Sequence, residues 1–388
     1  MQIKALSNLK EAVSRTIAIW LIIYIVSGCS QSASIEWVSP YKDIDWDNVI
    51  QARAQFHAHT TISDGWLAPH AVVDIYHELG YRILAITDHW RTTYPWSEFT
   101  SFEPSERTFR LIESGEMNGI SREIILDYQN RDPDALGMVA VRGSEPSHSG
   151  SRKHHIVSLF SGVTGHEMSF QETLTAIEEA GGLASFAHPA RDTEWNNNTV
   201  DDYIYYFDRY RQLYGIDVFT SFTIHRQPER WERARQLISD ILMHYGSPDN
   251  DHWRPVWMTS TDDIHRPHEY HSGFQIQLVE NLDQENVYNS LRDGCFFWVA
   301  QPYGEQHPVI ESIDFGKTSI TVRGKGYDQV SWYFNNEVIH TGETFDYYEH
   351  GSDDVFYVYF MAHTSDFSVV EGTGTAIGSQ PVWVLADK

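Results

Sequence analysis

A chain of 388 residues with 41% hydrophobic and 14% aromatic content exceeds a single typical domain and carries ample material for a packed globular core. Its 28 Lys and Arg against 54 Asp and Glu give a net charge of −26, which excludes broad electrostatic coating of nucleic acid. An anionic substrate must therefore be drawn locally, as a cluster of divalent cations would do.

Met1 to Thr16 carries Lys4, Lys10 and Arg15, and Ile17 to Val26 is an unbroken apolar run followed by Ser27-Gly28-Cys29. Ten apolar residues are too few to span a bilayer, which takes roughly 20, and they fit the h-region of a signal peptide. Val26-Ser27-Gly28-Cys29 resembles a bacterial lipobox, so residues 1–28 are expected to be removed and Cys29 to carry a lipid. That implies an exported chain anchored on the periplasmic side or in the outer membrane. The only other cysteine is Cys295, so no disulfide framework is expected. Residues 29–52 are polar and rich in Trp and Asp, without a helical or strand period, and read as a tether.

From Arg53 onward, short apolar runs alternate with helical patterns: Ala54–His57, Pro69–Leu79, Arg82–Thr87, Gly137–Arg142, Ile156–Phe160, Leu183–Ala187 and Ile216–Phe219. The amphipathic stretch Pro228–Tyr245, the strand Pro255–Thr259 and a helix near Gln284–Arg292 continue the series. Such βα repetition implies a parallel sheet, either a barrel or a doubly wound sheet, and this many units over roughly 250 residues favours the barrel, placed at 53–305. After about Gln306 short alternating strands take over, which predicts a small all-β domain over 306–388. The aromatic stretch Trp195–Tyr214 fits a helix packing on the barrel better than a substrate rim.

The chemistry-bearing residues sit at strand termini. His57 and His59 follow the first strand two residues apart, which puts both imidazoles on one face. Asp64 lies in Ser63-Asp64-Gly65, His89 ends Thr87-Asp88-His89, and Glu145 closes Gly143-Ser144-Glu145. His155 opens a strand, His188 precedes Pro189, and Asp263-Ile264-His265 follows another strand. A lone histidine at a strand end is more often structural than a ligand. Six histidines and three acids accumulated at strand ends would meet at a barrel mouth, and imidazole with carboxylate but no thiolate suits Zn, Mn or Fe. Nine donors exceed what one ion can use, so two or three divalent ions are expected.

His57-x-His59 with Ser63-Asp64-Gly65, Thr87-Asp88-His89, Glu145 with His155, His188-Pro189 and Asp263-x-His265 resemble, in order, the motifs of the PHP (polymerase and histidinol phosphatase) superfamily. The resemblance spans about residues 53–305 and implies a distorted (β/α)7 barrel with a binuclear or trinuclear metal site. It further implies that His57, His59, Glu145 and Asp263 hold one ion, that Glu145 bridges to a second held by His155 and His188, and that Asp64, His89 and His265 hold a third. His155 rather than His154, and Asp263 rather than Asp262, fit the pattern. The all-β tail ending in Gln380-Pro381-Val382-Trp383-Val384 is similar to the carbaryl-hydrolase-like branch, which has Asn where this chain has Gln380.

The expected reaction is hydrolysis of a phosphomonoester, or of the 5′ end of a nucleotide or short oligonucleotide, by a metal-activated hydroxide. Arg191, Arg152 and Lys153 are candidates to grip the phosphate, and protonation of the leaving alcohol is expected from a ligand-shell histidine, with His265 the candidate, or from a metal-bound water. Carbamate, ester or amide hydrolysis on the same site is the alternative, and a non-catalytic metal-binding module is a third reading. An amidohydrolase also opens with His-x-His, but its bridging Lys is not evident here. No protein partner is evident.

Overall fold

The computed structural model describes residues 35–386 apart from 116, 118–126, 148–153, 222–225, 268, 302–305 and 353. The expected signal segment, Cys29, Arg152 and Lys153 lie outside the described residues. Among the described residues no helix is long and apolar enough to cross a membrane.

The chain opens with β1 (Ile35–Val38) and enters the barrel at β2 (Ile50–Gln55). β3 (Ile83–Ile86), β4 (Val139–Ser144), β5 (Ile156–Leu159), β6 (Leu183–Phe186), β7 (Leu213–Thr220) and β8 (Trp257–Thr261) then hydrogen-bond to one another in chain order. The ring closes just past the ends of β2 and β8. There Ala58 and Ile264 form a parallel bridge, the His59 amide donates to the Ile264 carbonyl at 3.0 Å, and the Asp263 amide donates to the His57 carbonyl at 3.1 Å. Seven strands thus form the expected distorted barrel. Every residue of β3, β5, β6, β7 and β8 is buried, as befits strands covered on both faces.

The distortion has one source: β5 runs antiparallel to both β4 and β6, while the other neighbouring pairs in the ring are parallel. The reversal sets the residue before β5 at the mouth where the other strands end. A uniformly parallel barrel would have sent His155 to the opposite end.

The principal helices, α1 (Pro69–Glu78), α2 (Glu106–Glu113), α3 (Phe170–Glu179), α4 (Pro189–Asn196), α5 (Val200–Arg209), α6 (Arg230–Tyr245) and α7 (Gln284–Asp293), connect the strands. Local chemistry sets their starts: Ser169 and Glu172 form a reciprocal capping box on α3, and Pro189 stands in the first turn of α4, where a missing N–H does no harm. The aromatic helix α5 buries Tyr203, Ile204, Tyr206 and Phe207, in keeping with a packing role.

Strand pairing runs across two of the boundaries read from the sequence. The stretch 29–52 is not a tether throughout, because β1 pairs antiparallel with the final strand, β18 (Val382–Ala386), and buries Ile35 and Trp37 on one side. The alternation that makes it a strand is only four residues long, too short to stand out. The all-β tail is likewise no separate sandwich. β9 (Gly273–Val279) pairs antiparallel with β2, β10 (Phe296–Ala300) pairs with β9, and β17 (Ala376–Gly378) pairs with β10. The barrel sheet therefore continues through β16 (Tyr357–His363) into β18, with β13 (Gln329–Phe334) and β14 (Glu337–Thr341) at its side. A smaller sheet of β11 (Val309–Phe315), β12 (Ser319–Lys325) and β15 (Thr344–Asp346) covers the tail, and one apolar cluster joins Val72 and Leu84 of the barrel to Ile320 and Trp332.

Gln380 clamps this seam. Its side chain behaves like a short strand alongside β8: Oε1 accepts from the Met258 amide at 2.7 Å and Nε2 donates to the Met258 carbonyl at 2.9 Å. Its own amide donates to the Tyr41 hydroxyl, which donates in turn to the Phe296 carbonyl. Gln380→Ala strands two buried backbone groups, each worth about 1–3 kcal/mol. The expected outcome is a loss of roughly 2–4 kcal/mol in unfolding free energy, read from the denaturant midpoint with an unchanged slope.

Candidate metal centre

The mouth of the barrel gathers all nine of the donors singled out in the sequence. His57 and His59, past the end of β2, bring both Nε2 atoms to 3.1 Å of each other. Glu145 Oε2 lies 3.1 and 3.0 Å from those two nitrogens, and Asp263 Oδ1 lies 3.2 and 3.1 Å from them. Four atoms so spaced stand about 2 Å from a common centre, the length of a Zn–N or Zn–O bond. Hydrogen bonding does not account for the arrangement. Glu145 Oε2 is buried without a hydrogen-bond partner, as are Asp263 Oδ2, His57 Nδ1 and His188 Nδ1. Orphaned carboxylate oxygens facing imidazole nitrogens fit a divalent cation.

The other oxygen of Glu145 faces a second group, with Oε1 2.8 Å from His155 Nδ1 and 3.1 Å from His188 Nε2. One carboxylate thus presents each oxygen to a different set of imidazoles, the geometry of a bridging ligand. A third, wider group surrounds Asp64, whose oxygens lie 3.5 Å from His265 Nε2, 3.7 Å from His89 Nε2 and 3.6 Å from His59 Nδ1. Within each of the three groups the donor atoms lie within 4.8 Å of one another. His59 belongs to two of them, which the family partition does not include.

Both ambiguous doublets resolve as the motifs require. His154 is buried among the rings of Phe170, Phe186, Tyr203 and Tyr206 and faces away from the mouth. Asp262 also turns away, accepting from the amides of His271, Ser272 and Gly273 and from the Tyr76 hydroxyl.

Three further carboxylates support the donors, and of these Asp217 and Asp192 carried no readable signal in the sequence. Asp217 accepts from the His188 amide at 3.1 Å and from the hydroxyls of Thr220, Thr259 and Thr261. Asp192 accepts from the His155 amide at 3.2 Å and lies 3.8 Å from His188 Nδ1. Asp88 gathers Thr60, Ser63 and Thr93 beneath the His59 turn. These contacts hold the donors in place, and His188 and Asp263 keep left-handed backbone there, with φ of 32° and 53°.

Electrostatics follow from burial. Desolvation opposes a charge on His59, but the adjacent carboxylates of Asp263 and Glu145 outweigh it and hold its pKa well above the usual range. Desolvation and Arg191 likewise oppose a charge on His188, yet Asp192 and Glu145 raise it to about 9. Burial pushes His89 down to about 4. Burial would raise the Glu145 carboxyl, but His89, His57 and His155 keep it well below the carboxylate range.

Arg191, expected to grip a phosphate, does reach the centre: its Nη2 lies 2.8 Å from His155 Nδ1. Sequence reasoning missed Arg107, an exposed cation on α2 whose Nη1 lies 3.0 Å from Asp64 Oδ2. Nothing in its neighbourhood marks it, since its place depends on how α2 packs.

No family model matches the chain, and no curated protein matches it either. Among solved structures it is similar to a two-domain protein from Bacteroides vulgatus containing a PHP-like metal-dependent phosphoesterase, at 15% identity over 93% of this chain and all of that one, with a TM-score of 0.46. It is also similar to a protein from Bifidobacterium adolescentis taken to be a metal-dependent phosphoesterase, at 18% identity over 62% of this chain and 96% of that one, with a TM-score of 0.35. A third likeness is to the lesion-specific endonuclease PfuEndoQ of Pyrococcus furiosus, at 10% identity over 63% of this chain and 56% of that one, with a TM-score of 0.36. All are distant, so the functional reading rests on the side-chain geometry.

If these groups are ion sites, Glu145→Gln removes the shared charge and empties both sites it joins, whereas Asp262→Asn keeps its metal; elemental analysis of the two variants decides. Since ion-free His188 retains its proton up to about pH 9, binding at neutral pH displaces it. Apparent metal affinity, read by chelator competition, should rise about tenfold per pH unit per displaced proton up to that pH and weaken in acid.

Proposed function

We propose that this chain is a metal-dependent hydrolase of the PHP type that acts on phosphoesters, either a phosphomonoester or the 5′ end of a nucleotide or short oligonucleotide. The carrying observation is Glu145, a buried carboxylate with one oxygen among His57, His59 and Asp263 and the other between His155 and His188. In this reading His57, His59, Glu145 and Asp263 hold one divalent ion and Glu145, His155 and His188 a second. Asp64, His89 and His265, with His59 Nδ1 beside them, hold a third; Zn, Mn or Fe suits the donors. Bound ions supply an acidified water as nucleophile and positive charge against the oxygens of a phosphoryl group.

The chain's own residues do the rest. Arg191, against His155, is placed to donate to a phosphoryl oxygen, and a guanidinium beside the centre favours a phosphoester over an uncharged carbamate. His265 has Nδ1 2.9 Å from the Asp263 carbonyl, which only accepts, so Nδ1 carries a ring proton, and its Nε2 lies 3.5 Å from Asp64 Oδ1. Its place beside Asp64 supports the ligand role for His265. The near-complete burial of Glu145 and Asp263 keeps bulk water from screening the centre. From the sequence we further propose export and lipid anchoring at Cys29.

The test is turnover of an aryl phosphate, a 5′-phosphorylated oligonucleotide and an aryl carbamate by the protein with and without His59→Ala. Phosphate release that His59→Ala lowers at least a hundredfold is the expected outcome, and turnover of the carbamate alone would overturn the phosphoester assignment. Arg191→Ala removes a charge-assisted hydrogen bond and should lower kcat/KM for phosphate about 10- to 100-fold.

A further inference from the structure

The part of the substrate that is not the reacting phosphoryl group has its own place in the fold. A cavity of about 490 Å3 opens beside the Asp64 and His89 end of the centre, lined further by Ile62, Trp90, Arg91, Arg107 and His166. That volume lies within the range of small-molecule sites and exceeds what a bare phosphate or a short alkyl group would fill.

Trp90 decides what the cavity suits. It directly follows His89, is 44% exposed, and holds left-handed backbone with φ of 53°, a conformation that bulky side chains rarely adopt. Its edge is fixed, with Nε1 donating to the Ser147 carbonyl at 3.0 Å, and its ring lies 5.5 Å from that of His89. An indole held by its edge in a strained backbone, and left open to a cavity at the rim of the centre, offers a flat apolar face to whatever enters. Arg91 and Arg107 bring two guanidinium groups to the same cavity, the second of them paired with Asp64.

We propose that Trp90 is a stacking platform and that the substrate is a phosphoester of an aromatic or heteroaromatic group, such as an aryl or nucleoside monophosphate, rather than a sugar or alkyl phosphate. The proposal rests on the hydrolase reading for the reaction, but the platform is testable by binding alone.

The experiment measures, by calorimetry on the full-length metal-loaded protein in detergent, the binding of phenyl phosphate, adenosine 5′-monophosphate, glycerol 3-phosphate and inorganic phosphate. Stacking on an aromatic face typically strengthens binding about 5- to 150-fold, so the two aromatic probes should bind at least tenfold more tightly than the other two. Trp90→Ala should bring all four within about twofold of one another, and Trp90→Phe should restore most of the preference. Equal binding of aromatic and aliphatic probes by the unaltered protein, or a preference that survives in Trp90→Ala, would overturn the proposal whatever the turnover. A Trp90-dependent preference without phosphate release would support the platform and count against the phosphoesterase instead.

Discussion

Burying three carboxylates at one barrel mouth, with the Arg107 guanidinium against Asp64 alone, is the constraint around which this molecule is organised. Glu145 and Asp263 are each 1% exposed and Asp64 is 7% exposed, and all three face imidazoles within one barrel mouth. An unpaired charge so deep is strongly unfavourable, and six imidazoles that are neutral by default do not cancel three carboxylates. Either protons on His59 and His188 or bound divalent ions must supply the missing charge. Orphaned oxygens at ion-like spacing favour the ions, since a proton satisfies one donor–acceptor pair at a time whereas an ion satisfies several ligands at once.

The fold serves that mouth in ways that go beyond a generic barrel. The reversed strand β5 delivers His155 to the face where Glu145 ends β4, so this carboxylate and one of its imidazole neighbours come from antiparallel strands. Closure of the ring between Ala58 and Ile264 holds His57 and His59 against Asp263 through backbone hydrogen bonds at the metal-facing end. On the far side, Asp217 collects three threonine hydroxyls and the His188 amide, which fixes a donor whose own backbone is left-handed. The β tail is fastened to the β8 wall of the barrel through Gln380 and Met258.

Much of this was legible in the sequence because ligand chemistry leaves local marks. His57-x-His59 states its geometry in three residues, and strand ends preceding Asp, Glu and His mark the mouth. What was not legible depends on long-range packing. Nothing local reveals that Asp217 turns toward His188, that Arg107 reaches Asp64 from an exposed helix, or that Ile35–Val38 completes a sheet with the last strand of the chain. The continuity of the sheet across residue 305 escaped sequence reading for the same reason: a change of texture from helical to β pattern is visible, whereas continuity of one sheet through β9, β10 and β17 is a property of pairing. The role of Gln380 is visible only in the structure, where its side chain reaches both backbone groups of Met258.

The most direct measurement is anomalous diffraction from crystals of the protein grown with Mn or Zn, collected at the metal edge. A bridging Glu145 predicts at least two peaks, each within about 2.5 Å of a different Glu145 oxygen, one among His57, His59 and Asp263 and the other beside His155 and His188. Peaks absent from that carboxylate, with its oxygens instead hydrogen-bonded to protonated imidazoles, would contradict the shared-ligand centre on which the proposed chemistry depends.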